Sequence, residues 1–238
     1  MPGIDDLASH QTPTALRPLQ GLTLLVVEDS RFASEAVRLL CTRSGARIRR
    51  ADGLRAARKH LAVYHPSVLL VDVGLPDGSG LDLIAGLAGT SPRIAVILGT
   101  SADPDMERAV LAAGADGFIE KPIANLAQFQ SAILRHLPAE RQPPKLRVVS
   151  EERIKPDRLA YQDDLVQVAG VLGGRRAEDQ VDYITQFLGG VARSAQDDDL
   201  DLAVRQLKQL HSSGASLRPG LAALNAVLKD RLEQAGPI

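Results

Sequence analysis

Four apolar runs, each stopping on a polar group, constrain this chain more than anything else in it. Leu22-Thr23-Leu24-Leu25-Val26-Val27 stops at Glu28-Asp29-Ser30, and Val68-Leu69-Leu70-Val71 stops at Asp72. Ile94-Ala95-Val96-Ile97-Leu98 stops at Gly99-Thr100-Ser101, and Gly117-Phe118-Ile119-Glu120 stops at Lys121-Pro122. Runs this short and this apolar read as strands buried on both faces, as in a parallel sheet. A helical pattern follows each one, so the strands run parallel and their carboxyl ends share one edge. In open α/β sheets that edge is where ligands bind. Taken singly, each polar residue has a plain role: Asp29, Ser30 or Asp72 as a helix cap, Thr100 or Ser101 in a turn, Lys121 as a surface cation. Four such coincidences at four successive strand ends weigh less than one shared site.

The chemistry of that cluster follows from its groups. Asp29 and Asp72 side by side repel unless a cation lies between them, and hard oxygen donors suit Mg²⁺. With the ion in place, Asp72 is set to act as a nucleophile toward a phosphoryl group. Lys121 then pairs with one phosphoryl oxygen and the Thr100 hydroxyl donates to another. Lysine suits this role because a point charge binds phosphate without a fork geometry.

Residues from about Leu22 to Leu137 resemble a response-regulator receiver domain of bacterial two-component signalling. The resemblance rests on VVEDS (Val26 to Ser30), LLVDVGLPDGSGLDLI (Leu69 to Ile84), LGTSA (Leu98 to Ala102) and AAGADGFIEKPI (Ala112 to Ile123), in the family's order and spacing. It implies that Asp72 is the phosphoacceptor, Asp29 a direct Mg²⁺ ligand, Glu28 a ligand through water, and Gly74 a ligand through its carbonyl. It also makes Lys121 the phosphate-pairing lysine and Phe118 the rotameric switch aromatic. The switch hydroxyl falls on Thr100 or Ser101, with Gly99 competing in a gapless alignment. Thr100 is preferred because the residue at the strand end faces the phosphate. A hydrolase of the haloacid-dehalogenase class also uses a strand-end Asp, but it needs a second Asp two residues on, where this chain has Gly74.

Along the chain, residues 1–20 read as a flexible leader and 21–137 as a flavodoxin-like (βα)₅ domain with a parallel five-stranded sheet. Its helices are expected over Ser30–Ser44, Leu54–Tyr64, Gly80–Leu87, Pro104–Ala113 and Leu126–Leu137, with a weak second strand at Ala46–Arg50. Residues 138–156, rich in Pro, Arg and Glu, read as a linker in which Val148-Val149 is too short a pattern to assign. From Asp157 on only helical patterns remain: Leu159–Leu172, Ala177–Ala195, Leu200–Leu217 and Leu221–Gln234. Short connections between them predict an all-α four-helix bundle over residues 157–238.

That bundle resembles a histidine-containing phosphotransfer domain without its histidine. Phe187-Leu188, Asp199, Arg205-Gln206-Leu207-Lys208-Gln209, Ser212 to Ala215 and Leu232-Glu233 keep the framework. Arg205 stands at the position of the reactive His, and Gln209 at that of the following Gly. Arginine cannot deprotonate to attack phosphorus, so transfer from this position is lost. Lys208 lies at i+3 from Arg205 and forms a cationic patch with it. His211, six residues on from Arg205, lies on a different helix face. Transfer through His211 would make the chain a relay intermediate.

Composition sets the remaining expectations. Lys and Arg number 28 against 29 Asp and Glu, so the net charge is −1, and bulk electrostatics give no reason to expect direct nucleic-acid binding. The single Cys41 reads as a buried small hydrophobe. No apolar stretch is long enough for a membrane span, so a cytoplasmic location is expected. The expected partners are a histidine kinase or phosphotransfer protein, a downstream protein target, and a second copy through the helix 4–strand 5–helix 5 face implied by the resemblance. The chain is expected to be a phosphoacceptor and not an enzyme.

Overall fold

The computed structural model describes residues 12–143, 152–154, 156–173 and 178–234. The chain divides into two units, one of Met1–Asp29 and Ala36–Lys155, the other of Ser30–Glu35 and Pro156–Ile238.

The first unit is built on five parallel strands: β1 (Thr23–Val27), β2 (Arg47–Ala51), β3 (Val68–Asp72), β4 (Val96–Ser101) and β5 (Gly117–Glu120). They lie in the order β2-β1-β3-β4-β5. Helices α1 (Arg31–Ser44, whose start to Glu35 is grouped with the second unit), α2 (Leu54–Leu61), α3 (Gly80–Ala88), α4 (Met106–Ala112) and α5 (Leu126–Leu134) connect and follow them. Alternate residues of each central strand supply two separate cores. Leu24, Val26, Leu70 and Leu98 pack with Leu40, Phe129 and Ile133. Leu25, Val27, Leu69, Val71 and Ile97 pack with Leu54, Ile84 and Val110. A strand with apolar neighbours on both faces needs apolar residues at every position, which is why the sequence runs are unbroken.

Local chemistry sets the helix ends. Gly45, at φ +82°, takes the left-handed position after α1, and Ala46 N–H returns to the Cys41 carbonyl. Ser79 Oγ accepts from Leu81 N–H to cap α3, and Asn125 Oδ1 accepts from Gln128 N–H to cap α5. Helix α2 begins after Gly53 and is capped from a distance, by the Asp77 carboxylate on the Leu54 and Arg55 N–H groups. Cys41 is buried, which pushes its thiol up to about 12.

Residues within the segments read as leader and linker pack into the first unit. Leu19 is fully buried in the first core and its N–H donates to the Ser44 carbonyl, so the packed unit begins before residue 21. The remainder of the expected leader, residues 1–11, lies outside the described residues, as does Val148-Val149. Within the expected linker, Arg153 bridges to Asn125 and Ile154 is buried in the first core. Leu126 N–H donates to the Glu152 carbonyl, and Ile154 N–H to that of Ala124. Helix α2 stops at Leu61, three residues short of the sequence expectation, and Pro66 follows before β3.

The second unit contains α6 (Arg158–Leu172), α7 (Val181–Ala195), α8 (Asp198–Ser212) and α9 (Arg218–Gln234). The expected helix start at Ala177 falls outside the described residues, and α7 follows a 3₁₀ turn at Glu178–Gln180. One core joins the four helices: Leu165 and Val168, Ile184 and Leu188, Val204 and Leu207, Leu224 and Leu228. Asp164, fully buried, explains why Ser30–Glu35 belongs here. Its carboxylate accepts from Ser30 Oγ at 2.7 Å, Arg31 N–H at 2.7 Å and Phe32 N–H at 3.0 Å. Among the described residues no helix is long and apolar enough to cross a membrane.

Candidate functional site

The sheet register brings the polar strand ends together. Val27 of β1 lies abreast of Val71, and Asp72 abreast of Thr100 on β4. Ser101 lies abreast of Glu120 on β5, so Lys121 follows at the next position along the same edge. Glu28, Asp29, Asp72, Thr100 and Lys121 are each no more than 6% exposed.

Lys121 is the electrostatic centre. Its Nζ lies 2.7 Å from Asp72 Oδ2 and 2.7 Å from Glu28 Oε2. Burial alone would lower its affinity for a proton, but Asp72 and Glu28 hold the ammonium above its ordinary range. Burial pushes the Glu28 carboxyl up to about 8; Lys121 opposes the rise, and the neighbouring Asp72 and Asp29 add to it. Carboxylate oxygens of Glu28, Asp29 and Asp72 all lie within 4.8 Å of one another. Three buried acids against one ammonium leave excess negative charge in a low-dielectric site, and all their donor atoms are hard oxygens. That set fits a divalent cation of the Mg²⁺ type.

The backbone around Asp72 is shaped by its loop. Gly74 N–H donates to Asp72 Oδ1 at 3.3 Å, and Val73 N–H donates to the Thr100 carbonyl. Gly74–Leu75 and Gly78–Ser79 pair as a short antiparallel hairpin. A Cβ at Gly80 would collide with the Asp72 carbonyl oxygen, so only glycine allows this close return of the chain.

The hydroxyl candidates separate geometrically. Thr100 Oγ1 donates to the Ile119 carbonyl at 2.7 Å, on the strand that leads into Lys121. Ser101 Oγ instead accepts from Asp103 N–H in the following turn. At Gly99 an added Cβ would strike Val110, so this position is glycine for helix packing. Phe118, half-buried, packs at the margin of the second core.

Arg50 is a site residue that sequence reasoning missed. Its Nε donates to the Glu28 carbonyl at 3.3 Å and its Nη2 to the Asp29 carbonyl at 2.9 Å, holding the acidic turn after β1. Backbone acceptors carry no residue identity, so only the β1–β2 pairing could have signalled it.

The other expected residues lie on α8 of the second unit. Arg205, 68% exposed in its side chain, pairs with Asp201 Oδ2 one turn earlier at 3.0 Å. Lys208 is exposed on the same helix. His211 Nε2 lies 3.2 Å from Asp182 Oδ1 on α7.

Comparison with known proteins agrees with this geometry. The family model of the response regulator receiver domain matches residues 24–133. The probable transcriptional regulatory protein TcrX of Mycobacterium tuberculosis is 37% identical over 110 residues, 44% of this chain and 45% of that protein. The transcriptional regulatory protein KdpE of the same species is 31% identical over 119 residues, 49% of this chain and 53% of that protein. The chain thus spans about half the length of these curated relatives. A solved response regulator from Thermotoga maritima aligns with a TM-score of 0.44 at 25% identity, covering 53% of this chain and 98% of that one. With its strand order, its acidic strand ends and this family match, the segment 24–133 is a two-component response-regulator receiver domain.

Proposed function

We propose that this chain accepts a phosphoryl group on Asp72 from a phosphohistidine of a partner kinase or phosphotransfer protein, and signals through protein contacts that change on phosphorylation. The observation that carries this reading is the buried cluster of Glu28, Asp29 and Asp72 around one lysine at the carboxyl edge of the sheet. In the step, an Asp72 carboxylate oxygen forms a P–O bond while the donor's P–N bond breaks. The imidazole leaves as a neutral base once a proton takes the place of the phosphoryl group. Asp29, Asp72, Glu28 and the Gly74 carbonyl are the groups that would hold Mg²⁺, which would supply charge neutralisation for the phosphoryl oxygens. Lys121 exchanges part of its pairing with Asp72 and Glu28 for a phosphoryl oxygen. Thr100 turns its hydroxyl from the Ile119 carbonyl to the phosphoryl group, and Phe118 changes rotamer as the strand end rearranges. The chain is a stoichiometric acceptor and not a turnover catalyst.

The second unit we read as a four-helix bundle of the phosphotransfer type that has kept its docking surface and lost its chemistry. Arg205 and Lys208 put two cations on one exposed helix face where the reactive group would stand. The face of α4, β5 and α5 is the candidate surface for a second copy or a downstream protein, and the cytoplasm is the compartment that fits.

The test is the lability of the product. Incubation of the full chain with a labelled small-molecule phosphodonor and Mg²⁺ should give a base-labile acyl phosphate. An acid-labile product mapping to His211 would overturn the inactive-bundle reading and make the chain a relay intermediate. No product with Mg²⁺ present would overturn the acceptor assignment itself.

A further inference from the structure

Residues 47–60 hold five arginines and one lysine against a single aspartate, in a chain whose net charge is −1. The fold turns this run into a face. β2 is an edge strand, bonded to β1 alone, and α2 packs beside it on the same side of the sheet as Ala51. Arg47, Arg49, Arg50, Arg55, Arg58 and Lys59 are all exposed.

Two of the six are engaged. Arg50 donates to the Glu28 and Asp29 carbonyls, and the Arg49 guanidinium covers the Tyr64 ring at 4.7 Å. Among the described residues, Arg47, Arg55, Arg58 and Lys59 form no ion pair, whereas Arg43 pairs with Glu152 and Arg93 with Asp116 in the same unit. The nearby acid, Asp77, has its carboxylate on the first N–H groups of α2, and the Arg55 charge beside it helps to keep it ionised. Arg55, Arg58 and Lys59 line a surface cleft with Ala62 and Asp77.

The cations are divided between two elements, Arg47 on β2 and Arg55, Arg58 and Lys59 on α2. A five-residue strand is about 17 Å long and the adjoining helical turn about 5 Å. A single phosphate would engage only the three that share the cleft and leave Arg47 on β2 unused, whereas a DNA strand presents a charge every ~3.4 Å of its axis. The other chemistry points the same way. Single strands are held by stacking on aromatic rings, and Tyr64, the tyrosine beside this face, is already covered by Arg49. Duplex RNA is recognised through its 2′-hydroxyls, and residues 47–60 contain no Ser, Thr, Asn or Gln. A protein interface adds aromatic groups to its arginines, and residues 47–60 contain no Phe, Tyr or Trp. We infer that this edge of the receiver unit binds the phosphate backbone of duplex DNA, without reading its bases. Whole-chain charge conceals this, because the acids that balance these cations lie elsewhere in the chain.

The experiment is fluorescence anisotropy of a mixed-sequence DNA duplex with the full chain, from about 50 mM to about 200 mM salt. The duplex should bind with a log–log salt slope of about −3 to −4, the value for roughly four phosphates. The triple variant Arg55→Glu, Arg58→Glu, Lys59→Glu should weaken binding about tenfold or more at the lowest salt. Because that variant could fail to fold, Arg58→Ala is the second arm and should reduce the slope by about one. Beryllofluoride uptake at Asp72 serves as the folding control and should be unchanged in both. Absence of binding at low salt, or equal binding by both variants, overturns the inference. Tighter binding of polyglutamate, a single strand or an RNA duplex than of duplex DNA also overturns it.

Discussion

Lys121 pairs with two of the three buried acids of the site, Asp72 and Glu28, and this single residue determines what the site tolerates. Removing one partner of a buried charge cluster costs more than the cluster itself contributes, because the remaining charges stay desolvated. Lys121→Ala is therefore expected to lower the unfolding free energy by about 3 kcal/mol in metal-free buffer. Mg²⁺ should recover part of that loss by binding the folded state. Urea unfolding of wild type and variant, with and without Mg²⁺, measures both effects. Equal metal-free stabilities would contradict the role given to this ammonium. At this scale the sequence was informative where position follows from chain adjacency. A residue directly after a buried parallel strand must lie on the carboxyl edge, so Glu28, Asp29, Asp72, Thr100 and Lys121 could be read as one site. Arg50 and Asp164 were illegible because their partners are backbone groups or a hydroxyl brought close only by folding.

Among the elements, a charged network at the start of α8 ties the helical unit together. Asp197 Oδ1 caps Leu200 N–H, its Oδ2 accepts from Tyr161 of α6 at 2.7 Å, and Arg231 of α9 reaches it at 2.8 Å. Burial raises the Asp197 carboxyl, but the hydrogen bonds from Arg231 and Tyr161 outweigh this and hold it at about 2. The unfolded value is about 3.9. The folded value is the lower one, so ionised Asp197 stabilises the unit above pH ~4, and that contribution is lost as the pH falls toward 2. Asp197→Asn keeps a capping side chain while removing the charge. It should flatten the acid limb of stability between about pH 4 and about pH 2, read by helix-sensitive circular dichroism during urea unfolding. An unchanged acid limb would show that other carboxylates dominate. Helix and strand identity was legible from apolar period, since the two-core sheet demands unbroken runs and one-sided helices demand spaced ones. Element ends were less so: Asp77 caps α2 from 23 residues beyond Leu54, a partner no local pattern names.

Across the whole molecule, the distribution of charge matters more than its sum. A net charge of −1 gave no sign of the cationic edge formed by β2 and α2, because a total discards position. The limits of the packed first unit were hidden for a related reason. Leu19 and Ile154 lie in segments of loop-like composition, yet both fill its first core through contacts distant in sequence. The central claim, that Asp72 is where the phosphoryl group goes, has a direct measurement. Intact-protein mass spectrometry of the full chain after incubation with a small phosphodonor and Mg²⁺ should show one added phosphoryl group per molecule. Asp72→Asn should show none, with its circular dichroism unchanged. Stoichiometric phosphorylation of the Asn variant would place the acceptor elsewhere and contradict the account.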